Sequence, residues 1–256
     1  MDIPDEYKKG YTEFLGCRVD LRYRPLIPRI ETAEWVKVAI SKMDNLSRPG
    51  QTVRCLDMFA GSGCVGVAVL KHFIQYPNVT VDFVDISPRC LKQIEINCEL
   101  NRISRERYRL ICSNMFGNLC SGAIHGSLIG NCLIGLGSDK SLHYNFILAN
   151  PPYCLKKNVD SVVLTYEPKQ AVLGGGKDGL RLIKKFLRDA HKYVRSRPEG
   201  VPAFAGMTGL KEGVIYMEFD DFQKPLIEKL LQQSSYKKWE FKKDQFGCWR
   251  SVSVEQ

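Results

Sequence analysis

Five short apolar runs, rich in β-branched or aromatic residues, punctuate the chain at Val53 to Met58, Thr80 to Val84, Tyr108 to Ile111, Asn145 to Ala149 and Val214 to Phe219. Helical patterns separate most of them. That alternation of buried strands with helices argues for a doubly wound α/β sheet with helices on both sides. Asp178 to Val194 carries the helical period most clearly, with Leu180, Ile183, Leu187, Ala190 and Val194 on one stripe and Arg/Lys opposite. Ser87-Pro88 starts another helix, Ser87 as N-cap and Pro88 in the first turn. Two further segments at the end, Tyr236 to Phe241 and Trp249 to Val254, meet around Phe246-Gly247 and read as an antiparallel hairpin closing the sheet. At 256 residues, 44% of them hydrophobic, the chain has material for one substantial core.

Two stretches break the alternation. Residues 121–141, rich in Gly, Ser and Leu/Ile, lie between the third and fourth strands, where a short connection would suffice, and residues 196–209 precede the fifth. Both read as surface insertions, since added loop length costs little closure entropy. No apolar run approaches the roughly 20 residues that cross a bilayer, and the first ten residues are polar, unlike a signal peptide. A cytoplasmic protein is expected. The ten cysteines are scattered, with no C-x-x-C pair and no His at metal-ligand spacing, so they read as reduced core residues and imply no structural zinc. The net charge is +9, and Lys224 to Arg250 holds seven Lys/Arg against three Asp/Glu. That density can attract an anionic partner such as RNA, but it equally describes a solvated basic face.

The chemistry sits at strand ends. The first strand runs into Asp57-Met58-Phe59-Ala60-Gly61-Ser62-Gly63-Cys64-Val65-Gly66, where glycines let the backbone approach a ligand at a helix N-terminus. The second ends in Asp85-Ile86, and an acidic residue there can accept hydrogen bonds from both ribose hydroxyls. Read blandly, the same features are a glycine turn and a helix-capping Asp. After the fourth strand comes Asn150-Pro151-Pro152-Tyr153. Consecutive prolines cannot donate, so this loop offers stiff carbonyl acceptors beside the Asn150 side chain and an aromatic face, which suits a planar NH2 group. An ordinary proline turn would look the same in isolation. Gly61, Gly63 and Gly66 satisfy the G-x-G-x-x-G spacing of dinucleotide-binding enzymes as well. The Asn-Pro-Pro-Tyr loop and the closing antiparallel pair fall outside that pattern and favour S-adenosylmethionine as cofactor.

The residues ahead of the glycine turn sharpen this. Tyr7 to Gly10, Glu13-Phe14-Leu15-Gly16 and Leu26-Ile27-Pro28-Arg29-Ile30-Glu31-Thr32 resemble signatures of the HemK/PrmC family, the protein-(glutamine-N5) methyltransferases that modify the Gly-Gly-Gln loop of peptide chain release factors. Tyr166-Glu167-Pro168, Ala171-Val172-Leu173, Gly176 to Leu180 and the closing Asp244, Gly247 and Arg250 resemble further family segments, so the likeness covers nearly the whole chain. It implies a Rossmann-like class I S-adenosylmethionine-dependent methyltransferase, an α/β fold with a mostly parallel seven-stranded sheet. It implies a hairpin and helix over residues 1–48 and the catalytic domain over residues 49–256.

The resemblance further implies that Phe59, Ala60, Gly61, Ser62 and Gly63 line the methionine end of the cofactor, that Asp85 holds the ribose, and that Asn114 and Met115 flank the adenine. Asp57, Ile86 and Asn150 complete the expected cofactor set, and Asn150, Pro151, Pro152 and Tyr153 grip the substrate glutamine. A release factor is the implied partner. Phe59 stands where the family has the first glycine of its motif, Asn114 where it has an acidic residue, and Ile30 where it has proline. Family members usually carry a helical domain before the hairpin, and this sequence starts almost at the hairpin, so such a domain is not expected here. Two other readings fit the same residues. A DNA or RNA amino-methyltransferase would grip an exocyclic base NH2 in the same way, after flipping the base. A non-catalytic S-adenosylmethionine-binding module would fit the departures at Phe59 and Asn114.

Overall fold

A computed structural model describes residues 2–44, 52–119, 143–194 and 213–256. The two stretches read as insertions, 121–141 and 196–209, lie outside the described residues, as does the boundary expected near residue 48. The chain opens with α1 (Asp5–Lys9), β1 (Tyr11–Phe14), β2 (Cys17–Asp20) and α2 (Ile30–Asp44), then β3 (Val53–Met58), α3 (Cys64–His72), β4 (Val79–Asp85), α4 (Pro88–Leu100) and β5 (Tyr108–Cys112). There follow β6 (Phe146–Ala149), α5 (Ser161–Tyr166), α6 (Lys169–Val172), α7 (Arg181–Ala190), β7 (Val214–Glu218), α8 (Lys224–Gln232), β8 (Lys238–Lys243) and β9 (Trp249–Glu255).

Among the described residues the main sheet has the order β5-β4-β3-β6-β7-β9-β8. The first five strands run parallel, while β9 pairs antiparallel with both β7 and β8. Chain order reverses beside β3, where the path leaves β5 at one edge and re-enters at β6. That is the switch point at which doubly wound sheets open a crevice beyond their carboxyl ends. The expected strands therefore stand within one or two residues of their predicted bounds, and Ser87 caps α4 by accepting from the Cys90 N–H, with Pro88 in the first turn. The expected helix over Asp178 to Val194 is shorter, Arg181–Ala190, because Gly179 adopts φ +72° and the Asp178 side chain accepts from the Leu180 N–H, holding a turn there. No helix among the described residues is long and apolar enough to cross a membrane.

The opening hairpin is built into the same core as the sheet. Phe14, Cys17, Val19 and Leu21 pack with Trp35, Val36 and Ala39 of α2 and with Val65, Val69, Val81 and Phe83 of the central layers. Its turn, Leu15-Gly16, has both residues at positive φ (47° and 74°), the geometry that matches the twist of a two-residue hairpin. Among the described residues, the outer backbone of β2 and of Tyr23 beyond it meets no strand; it meets side chains of α4 and of Asn101, its C-cap. The Asp20 N–H donates to Asn97 Oδ1 at 2.8 Å, the Arg18 N–H to Asn101 Oδ1 at 3.2 Å and the Tyr23 N–H to Gln93 Oε1 at 2.9 Å. These buried amides of α4 thus replace a neighbouring strand, satisfying donors that would otherwise be desolvated and unpaired. Asn97 also donates to the Ser62 carbonyl at 2.8 Å, which ties the hairpin to the glycine turn.

Candidate functional site

A cavity of about 540 Å³ opens at the switch point. Its walls come from the ends of β3, β4, β5 and β6 and from two segments remote in sequence, Tyr23 to Thr32 and Tyr166 to Ala171. Of the residues expected to hold a cofactor, Asp57, Phe59, Ala60, Gly61, Ser62, Asp85, Ile86, Asn114, Met115 and Asn150 all line it. Gly63 stands just behind the wall at φ +77°, and a Cβ there would meet Ile94 Cγ1 at 2.8 Å, so the turn closes down on α4 only with glycine. Of the expected substrate grip, Asn150 and Pro152 line the cavity, and Pro151 between them does not. Tyr153 is instead drawn behind the wall, its hydroxyl donating to Glu218 Oε1 at 2.8 Å.

Asp85 organises the floor. Its Oδ2 accepts from the Gly61 N–H at 2.9 Å and its Oδ1 from the Ser87 N–H at 2.8 Å, so one carboxylate holds the glycine turn against the start of α4. Each carboxylate oxygen can accept a second hydrogen bond. Burial pushes the Asp85 carboxyl above its ordinary value, against the lowering pull of these backbone donors, and further donors from a ligand would favour the charged form. Asp57 plays a different part. It is fully enclosed, accepts from the Gly66 N–H at 2.9 Å, and so anchors the first turn of α3; burial pushes its carboxyl up to about 8.

This gives Asp57 a testable signature. A carboxyl whose folded pKa is raised stabilises the fold while protonated; that contribution is complete below about pH 4 and is lost as pH rises through the folded value near 8. Asp57→Asn keeps an acceptor for Gly66 without the charge. Urea unfolding at pH 5 and pH 8 is expected to show a fall in wild-type stability that the variant lessens by on the order of 1–3 kcal/mol. Parallel pH profiles for the two proteins would show that Asp57 does not titrate in that window.

Phe59 occupies the left-handed region at φ +62°, which explains why glycine would be at home there. A non-glycine residue in this region costs roughly 1–2 kcal/mol. The Phe59 ring lies 6.0 Å from that of Phe186, which continues through Phe116, at 5.8 Å, to Tyr193, at 4.6 Å from Phe116. Such aromatic contacts are worth about 0.5–1.5 kcal/mol each beyond burial, enough to offset much of the backbone cost. Asn114 is exposed and accepts from Lys185 Nζ at 3.4 Å, while Met115 is buried beneath it at φ +58°.

The roof is a second device. Glu167, nearly enclosed, accepts from the Ile27 N–H at 3.0 Å and pairs with the Arg29 guanidinium, tying the Leu26 to Thr32 segment to Tyr166-Glu167-Pro168 across the cavity mouth. Asp244, Gly247 and Arg250 stand away from the cavity. The Asp244 side chain accepts from the Phe246 and Cys248 N–H groups and from Arg250 Nε, shaping the β8–β9 turn. Glu218, at the end of β7, escaped the sequence reading because it closes an apolar run; a charged residue at the carboxyl end of an inner strand was the available signal. Among the described residues no group of His, Cys, Asp and Glu side chains could hold a metal ion.

No family model matches the chain. A release factor glutamine methyltransferase from Flavobacterium psychrophilum is 25% identical over 254 residues, 98% of this chain and 75% of that protein. A ribosomal protein uL3 glutamine methyltransferase from Francisella tularensis is 33% identical over 194 residues, 75% of this chain, and the match spans about half (52%) of that protein. Among solved structures, the N-terminal domain of human METTL16 in complex with SAH superposes with a TM-score of 0.55 at 14% identity, covering 94% of this chain and 76% of that one. A ribosomal protein L11 methylase from Lactobacillus delbrueckii gives 0.51 at 14% identity, over 89% and 79%. At such identities the structural likeness establishes the fold, that of class I S-adenosylmethionine-dependent methyltransferases. Along nearly its whole length the chain is similar to glutamine methyltransferases of the kind that the hairpin, glycine turn and Asn-Pro-Pro-Tyr loop resemble.

Proposed function

We propose that this protein transfers a methyl group from S-adenosylmethionine to the side-chain amide nitrogen of a glutamine in a protein of the translation machinery, with the Gly-Gly-Gln loop of a release factor as the substrate. One observation carries the reading: the cavity that runs over Asp85 and the glycine turn also reaches Asn150, so a cofactor pocket and a grip for an NH2 group are one continuous space. The cavity fits the cofactor. Its volume lies in the range of small-molecule sites, Asp85 can take a ribose diol without giving up Gly61 or Ser87, and Ser113 to Met115 wall the far end. Bound there, S-adenosylmethionine supplies an electrophilic methyl group on a positively charged sulfur.

The residues of the chain have a separate task. An amide nitrogen is a poor nucleophile because its lone pair is delocalised into the carbonyl. Asn150 Oδ1 and the Pro151 carbonyl accept its two hydrogens, fix the plane of the group, and bind more strongly as positive charge grows on nitrogen. No general base is needed beforehand, since the nitrogen becomes acidic only once it carries that charge. The buried Pro151 and Pro152 keep the acceptors from relaxing away.

A second substrate has support of its own, because the more identical of the two relatives is a uL3 glutamine methyltransferase. The experiment offers labelled cofactor with a release factor, the same factor with its loop glutamine replaced, ribosomal protein uL3, and total RNA and DNA. Incorporation into the release factor that disappears with the glutamine is the expected result. Label confined to uL3 would transfer the glutamine reading to that protein, and label found mainly in nucleic acid would replace it with base methylation.

A further inference from the structure

We infer that Glu218 and Thr32 form a positioning relay that fixes which end of the Asn150 amide faces the cavity. The inference rests on the proposed methyl transfer to an amide nitrogen, and it names residues behind the grip rather than in it. Glu218 is 1% exposed. Its Oε2 accepts from Trp35 Nε1 at 2.7 Å and from the Thr32 hydroxyl at 2.7 Å, and its Oε1 accepts from the Tyr153 hydroxyl at 2.8 Å. Thr32 Oγ1 in turn accepts from Asn150 Nδ2 at 3.1 Å.

The direction of this chain follows from what each group can do. An indole N–H only donates, so Trp35 requires an acceptor at Glu218 Oε2. Burial holds the Tyr153 hydroxyl well above its ordinary value, so it too keeps a proton to give. Burial raises the Glu218 carboxyl, whereas its three donors and the positive charge of Arg250 pull it back down. Three donors converging on two oxygens match a carboxylate. The Thr32 hydroxyl has a single hydrogen, and it goes to Glu218; toward Asn150 the oxygen has only lone pairs. Asn150 must therefore turn its NH2 to Thr32, and its Oδ1 becomes the group it offers to the cavity. Amide ends are otherwise nearly interchangeable in shape, and the reversed rotamer would present a donor to a substrate NH2 and repel it. The same carboxylate holds Tyr153, so both ends of the Asn-Pro-Pro-Tyr loop hang on Glu218, which reaches the loop from the neighbouring strand.

The relay is tested on the full chain with Thr32→Val, which keeps the shape and removes the hydroxyl, and Thr32→Ser, which keeps the hydroxyl. Thr32→Val is expected to lower kcat by about tenfold to a hundredfold, a fraction of the effect of losing the polar contact itself, with affinity for S-adenosylhomocysteine within about twofold. Thr32→Ser should recover kcat to within about threefold of wild type. Glu218→Gln should fall between them. Its amide oxygen can still receive Trp35 and Thr32 if Tyr153 rotates to accept from the new NH2. A readout independent of turnover is the side-chain amide of Asn150 in 15N-resolved NMR, where loss of its acceptor in Thr32→Val should move both hydrogens upfield while Thr32→Ser leaves them near the wild-type position. Unchanged amide shifts, or a Thr32→Val enzyme that keeps kcat within about threefold, would overturn the relay. A wild-type enzyme that methylates neither release factor nor uL3 would instead sink the glutamine reading, and the amide shifts would still decide whether Thr32 orients Asn150.

Discussion

Asn150→Ala is expected to lower turnover by about a hundredfold to a thousandfold while S-adenosylhomocysteine binds with nearly its wild-type affinity. A preorganised contact to a centre whose charge grows along the reaction is worth this much because it strengthens toward the transition state and costs no reorganisation at that moment. Asn150 is well placed for such a contact. It follows β6, whose pairing with β3 and β7 fixes its position, and its NH2 is already engaged by Thr32. Removing the side chain leaves the Thr32 hydroxyl facing the cavity, where water can replace the lost donor, so the fold should tolerate the change. Single-turnover rates with saturating substrate, set beside calorimetric titration, separate the two quantities. Turnover within about tenfold of wild type would make the loop a scaffold and not a grip.

Most of the fold was legible because its signals are local. Val53 to Met58 reads as a strand from its apolar content, Ser87-Pro88 as a helix start from capping chemistry, and both stand where expected. The site was legible to the extent that it lies at strand ends: Asp85, the glycine turn and Asn150 converge on one cavity because parallel strands place their carboxyl ends together. What sequence could not disclose were partnerships across long separations. Asn150 and Thr32 are 118 residues apart, Thr32 and Glu218 are 186 apart, and no periodicity joins them. The same holds for Gln93, Asn97 and Asn101. On a helical wheel they interrupt the apolar face of α4, and only the neighbouring hairpin explains why buried amides belong there. Tyr153 reads in sequence as an aromatic cover for the substrate, yet its hydroxyl donates to Glu218, as an enclosed phenol needs a partner. Phe59 reads as a lost glycine, and its positive φ was visible only in the backbone.

Asp85→Ala is expected to weaken S-adenosylmethionine binding by about tenfold to a hundredfold, the effect of removing a charge-assisted hydrogen bond worth about 1.5–3 kcal/mol. The structure adds a second consequence. The carboxylate also receives the Gly61 and Ser87 N–H groups, so its loss leaves one donor of the glycine turn and one at the start of α4 without their acceptor and loosens the link between them. Asp85→Asn separates these effects. One oxygen remains to hold a backbone N–H, while the charge that would meet the ribose diol is gone; it should lose most of the affinity and less of the stability. Wild-type affinity should also depend on pH in a definite direction. Burial raises the Asp85 carboxyl above its ordinary value, and hydroxyl donors from the ligand favour the ionised form, so binding is complete above that raised value and weakens as pH falls through it. In Asp85→Asn this acid limb should vanish. Calorimetry as pH is lowered, with unfolding measured in parallel, reads both effects. If folded Asp85→Ala binds as tightly as wild type, or Asp85→Asn retains the same acid limb, the ribose is held elsewhere and the carboxylate serves only to fasten the glycine turn to α4.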